Sequence, residues 1–156
     1  MAAAAAAWVE AGPFRAHLRH VMAVGDLSAT DVATLAGVSP RMATSLLHGR
    51  GGRPVRRISP DIARSLLRIT AADARAVRTR QVPAEESRLR LRRLLVREQD
   101  AAGLAEQLGV TTEAVSALAV GTGGWCSALL ALRLLALART ATSGELTVPP
   151  ATPAAA

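Results

Sequence analysis

An all-α fold is predicted, built as two tandem helix-turn-helix units of about four helices each, packed or linked, with disordered tails. Three observations predict it. Ser28 to His48, SATDVATLAGVSPRMATSLLH, carries small or apolar residues wherever two crossed helices must touch. The same arrangement returns 72 residues later in AAGLAEQLGVTTEAVSALAVG, from Val32 matching Leu104 to Leu46 matching Leu118. Sheet-forming residues are scarce, with no tyrosine and 1 phenylalanine. Units of roughly 55 residues lie near the lower limit for folding alone, so the two are expected to pack together.

Taken in order, residues 1–12 are a low-complexity lead, helical by alanine propensity and anchored only by Trp8 and Val9. Gly12-Pro13 starts a first helix through Val24, on which Phe14, Leu18, Val21 and Met22 recur at helical spacing. His17 and His20 on this helix have no cysteine or carboxylate cluster beside them in sequence and read as ordinary histidines, not metal ligands. Gly25-Asp26 ends the helix, and Ser28 caps the next one with Asp31 at its positive end. Val32, Ala33 and Ala36 form its contact face. Gly37 makes the turn, where positive φ penalises a Cβ, and Val38 plugs the corner. Ser39 caps the second helix with Pro40 in its first turn, while Ala43 and Leu46 face back. Gly49 to Arg57 follows, four Arg and three Gly in nine residues, and reads as a mobile arm. Ser59-Pro60-Asp61 opens the closing helix, whose buried face is Ile62, Leu66, Leu67 and Ile69. The first domain is thus 13–75. Apolar periodicity then fails up to Val82-Pro83, which places a linker at 76–83.

The second, degenerate domain covers 84–141. Glu85 and Glu86 start its first helix, with Leu89, Leu91, Leu94 and Leu95 as core and an exposed stripe of Arg90, Arg93 and Arg97. Thr111 replaces Ser39, and Cys126 takes the slot of Ile58 as a buried small hydrophobe. The helix over 127–140 is apolar nearly all round and is expected to pack between the units or against another protein. Residues 142–156, with three prolines, form the disordered tail.

Net charge is +7, and every one of the 19 basic residues is arginine. Residues 13–80 hold 12 arginines against 4 acids, whereas 81–156 hold 7 against 7. The first unit is therefore suited to a polyanion and the second is not. One cysteine excludes an intramolecular disulfide and a multi-cysteine metal site. No secretory signal or spanning segment is read, which points to a cytoplasmic, nucleoid-associated protein. No catalytic triad, phosphate loop or metal-ligand spacing occurs, so the chain is expected to be no enzyme and to need no cofactor.

In a helix-turn-helix the start of the second helix points into the major groove. The expected base readers are Arg41, Thr44, Ser45 and His48, with Arg41 suited to guanine O6 and N7. The expected phosphate or minor-groove contacts are Ser28, Ser39, Arg50, Arg53, Arg56 and Arg57. The second unit offers Thr112, Glu113, Ser116 and Ala117 instead, and its loop Gly121 to Trp125 has no arginine.

The pattern LSATDVATLAGVSPRMATSLLHGR, followed by RRISPDIARSLL, resembles the phage-repressor-like (lambda repressor/Cro-type) helix-turn-helix proteins. More narrowly, the chain is similar to tandem helix-turn-helix regulators of high-GC bacteria and their phages, over about residues 14–140. The resemblance implies a helical fold, a transcription-regulatory setting, double-stranded DNA as partner and reading positions at Arg41, Thr44 and Ser45. The competing expectation is a protein-interaction adaptor, or the small subunit of a phage complex. It would form a homodimer or bind a protein partner through residues 127–140.

Overall fold

A computed structural model describes residues 7–98 and 100–145. Its elements are β1 (Val9–Glu10), α1 (Gly12–Gly25), α2 (Ala29–Ala36), α3 (Pro40–His48), β2 (Arg57–Ile58), α4 (Pro60–Leu67) and α5 (Ala71–Thr79) in the first half. The second half has β3 (Gln81–Pro83), α6 (Glu85–Glu98), α7 (Ala101–Leu108), α8 (Thr112–Val120), β4 (Trp125–Ser127) and α9 (Ala128–Glu145). The fold is all-α, with two short antiparallel ribbons, β1–β2 and β3–β4, each closing one half.

The halves repeat at the level of single hydrogen bonds. Gly37 and Gly109 both adopt left-handed φ, +73° and +67°, and the following N–H reaches back to Ala33 O (2.9 Å) or Ala105 O (3.0 Å). No atom lies within 4 Å of a Cβ built on Gly37, so φ, not space, demands glycine there. Ser39 and Thr111 cap α3 and α8 by accepting from Met42 N and Ala114 N. Ser59 and Ser127 do the same for α4 and α9. Ala11 and Ala84, both fully buried, donate to Arg56 O and Gly124 O, which brings the start of each half onto its ribbon.

Four expectations need correction. The lead is not helical to Glu10: Val9 pairs with Ile58 and Glu10 with Arg57, because packing Val9 beside buried Ile58 outweighs alanine propensity; residues 1–6 lie outside the described residues. No linker spans 76–83. Thr70 and Asp73 form a capping box that opens α5, Ala74 and Val77 bury against α1, and 81–83 form β3. The first half therefore has five helices. Residues 142–145 continue α9, while 146–156 lie outside the described residues.

Two cores result, one around Leu18, Val32, Leu46 and Leu66 and one around Leu91, Leu104, Leu108 and Leu134. Helix α9 serves both. Leu129 and Leu132 pack on the first core, Leu130 and Leu137 on the second, and α9 lies against α2 and α5. Its apolar residues are thus largely used inside the chain, as the packing-between-units reading expected. Arg133 completes the junction. Its Nε and Nη2 donate to Asp31 Oδ1 and Oδ2 at 3.1 and 3.2 Å, and Nη1 donates to Leu108 O at 2.9 Å. Asp31 is 3% exposed in its side chain and also closes the α2 capping box with Ser28. Burial alone would raise its carboxyl pKa. The hydrogen bonds from Arg133 and Ser28 outweigh that and hold it below the usual carboxylate range.

Candidate nucleic-acid interface

Helix α3 is held on two sides, by α2 and by α1. Ala43, Leu46 and Leu47 are buried, and Arg41, Thr44 and His48 form an exposed stripe at i, i+3 and i+7. Ser45 departs from expectation. Contact with α1 as well as α2 carries burial round the helix, leaving Ser45 8% exposed and turned away from solvent. The outward set is therefore Arg41, Thr44 and His48.

The segment after α3 is not a mobile arm. Arg50 N donates to Arg53 O at 2.9 Å and Arg53 N to Arg50 O at 3.1 Å. Gly51 and Gly52 between them both take positive φ, +55° and +74°. Two central residues with positive φ inside a closed pair are the mark of a type I′ hairpin, which glycine adopts without strain. Arg50 and Arg53 sit directly opposite one another and so project from the same face of this two-residue hairpin. Gly49 sets its root: a Cβ there would lie 2.3 Å from Arg53 O.

Arg15 fastens helix to hairpin. Its Nε donates to Leu46 O at 2.7 Å, in the last turn of α3, and its Nη2 to Val55 O at 2.6 Å. Arg19, one turn on, donates to Leu47 O at 3.4 Å. A guanidinium on the terminal carbonyls of a helix answers both their missing partners and the negative end of its dipole. Sequence reading missed Arg15 and Arg19. The signal was available in the repeat, because Arg88 and Arg92 stand at the matching places of α6 and donate to Leu118 O and Ala119 O.

Among the described residues no carboxylate pairs with Arg41, Arg50, Arg53 or Arg56, all of which are exposed. Arg57 lies 3.9 Å from Glu10, which offsets part of its charge. Ser39 is exposed at the α3 N-terminus and borders a cleft that Arg139 also lines. The Ser28 hydroxyl accepts from Asp31 N, and Ser28 lines the junction cleft with Arg133 and Glu106. Ser39, Arg50, Arg53 and Arg56 are thus exposed and meet no carboxylate among the described residues, Arg57 is partly offset by Glu10, and the Ser28 hydroxyl is engaged in capping α2.

On α8 the corresponding outward residues are Thr112, Glu113, Ser116 and Ala117. Glu113 accepts hydrogen bonds from its own amide and from the Thr111 hydroxyl, which lower its pKa and keep it anionic. The loop that follows turns at Gly121 and makes no hairpin. His17, far from any such surface, shares its Nε2 proton between Leu66 O and Ile69 O at 3.1 and 3.0 Å, closing off α4. Cys126 is buried in the position that Ile58 fills in the first half. No group of three or more metal-ligating side chains occurs among the described residues, and no helix there is long and apolar enough to cross a membrane. No protein-family model, curated protein or solved structure matches this chain.

Proposed function

We propose that the protein is a sequence-specific double-stranded DNA-binding transcriptional regulator without catalytic activity, working through its first half in the cytoplasm, on the nucleoid. The observation that carries the reading is the pairing of an outward Arg41, Thr44 and His48 stripe with a closed Arg50/Arg53 hairpin, none of whose arginines meets a carboxylate among the described residues. Helix α3 enters the major groove, and Arg41 reaches O6 and N7 of a guanine. Thr44 and His48 contact the adjoining base edges or sugars. Ser39 and the α3 N-terminus meet one phosphate strand. The hairpin sets Arg50 and Arg53 astride the backbone or in the neighbouring minor groove, where negative potential is greatest. The second half, with Glu113 on its outer helix, braces the first and leaves the bases unread.

The test is selection of bound sequences from random duplex, followed by gel-shift titration. The expected result is an enriched site, with Arg41→Ala weakening that site by about tenfold to a hundredfold and random DNA far less. Absence of binding at low salt overturns the reading.

A further inference from the structure

The outer face of α6 combines exposed apolar and basic side chains. Leu89 and Val96 are 48% and 76% exposed, seven residues apart, and Arg90, Arg93 and Arg97 run beside them at i, i+3 and i+7. This face and the end of α9 enclose a groove of about 590 Å³, lined on its apolar side by Leu89, Leu94, Val96 and Ala138 and bordered by those three arginines and Arg92. Three of the four are engaged, Arg90 with Glu86, Arg92 with Ala119 O and Arg97 with Ala141 O. None of the residues lining the groove is acidic.

We infer that this groove docks an acidic amphipathic helix of a partner protein, through a binding surface separate from the arginine hairpin. An apolar floor wants the apolar stripe of a helix, and an arginine rim wants carboxylates flanking that stripe. The other occupants fit less well. A second copy of this chain brings a net charge of +7 to an arginine rim. The chain's own residues 146–156, LTVPPATPAAA, carry no acid to meet it. A DNA backbone would satisfy the rim but leave Leu89 and Val96 against hydrated phosphates. The second half has lost base-reading chemistry while keeping an open apolar–basic face, which is what a recruiting module requires.

The full chain is titrated calorimetrically with two designed helical peptides of about 18 residues. One carries a leucine stripe flanked by glutamates; in the other each glutamate is glutamine. The acidic peptide is expected to bind about tenfold or more tightly than its neutral analogue, with the difference shrinking between about 50 mM and about 500 mM salt. Arg93→Glu is expected to remove that preference and Val96→Asp to abolish binding of both peptides, whereas Arg75→Glu on α5 changes nothing. All three positions are exposed, and unchanged helical circular dichroism verifies each variant's fold. Equal binding of the two peptides, or none, overturns the inference. So does a dimer that Val96→Asp converts to monomer, or a random duplex whose affinity falls with Arg93→Glu while the acidic peptide stays unbound.

Discussion

Arg15 and Arg88 hold the same station in the two halves: each guanidinium spans from the last turn of the outer helix to the loop beyond it. Arg15 bridges Leu46 O and Val55 O, and Arg88 bridges Leu118 O and Gly123 O. Only the first of these loops carries arginines outward. The bond is therefore part of the scaffold, and in the first half it also ties the end of α3 to the segment that follows the hairpin.

Replacing either arginine by methionine removes two charge-assisted bonds while keeping the aliphatic stem. Each variant should lose about 2 kcal/mol of stability by urea denaturation. On the proposed function, Arg15→Met alone should lower discrimination between the selected site and random duplex, since Arg88 supports α8, whose outward face carries Glu113 and no arginine.

Gly49→Ala tests the hairpin without touching an arginine. Its Cβ would meet Arg53 O at 2.3 Å, so the Arg50–Arg53 pair must open. Amide exchange at Arg50 and Arg53 should accelerate while the cores stay protected, and affinity for specific and random duplex should fall together.

Arg53→Ala should weaken all duplexes alike and reduce the slope of log K against log salt by about 1, as expected for one lost phosphate contact. Ser45→Ala should leave sequence preference unchanged in a competitive gel shift, because that side chain is buried.

Asp31 gives a pH dependence of known sign. Its carboxyl pKa is lowered in the folded chain, so the stabilisation is present above the unfolded carboxylate range and is lost as pH falls through the folded value. At pH 7, Asp31→Asn should cost about 2 kcal/mol by breaking the pair with Arg133. The gap between parent and variant, followed by urea denaturation, should close as pH drops below about 4.

The helix-turn-helix pair was legible because its demands are local and severe. A positive-φ glycine, an alanine at the closest helix crossing and a serine cap stand at fixed spacings, and the chain states them twice. Helix α5 was not legible by periodicity. Its 9 residues bury only Ala74 and Val77 among charged neighbours, although Thr70 and Asp73 spelled a capping box. The ribbons escaped because 2 or 3 residues of ladder carry too short a pattern to read. Gly51-Gly52 between matched arginines did hold a hairpin signal, which the density of arginine and glycine around it obscured. Ser45 was misplaced because helix phase alone cannot reveal that α1 covers a second flank of α3.

The clasp between Asp31 and Arg133 runs in one direction only. By the repeat's own alignment, Asp31 corresponds to Gly103, which has no side chain, and Arg133 to Ser65, so no reciprocal bond forms. A dyad-related pair of subunits would make every such contact twice. This junction makes it once, so the chain does not imitate a symmetric dimer folded into one polypeptide. If the first half reads DNA, its target should accordingly lack the inverted symmetry of a palindromic operator.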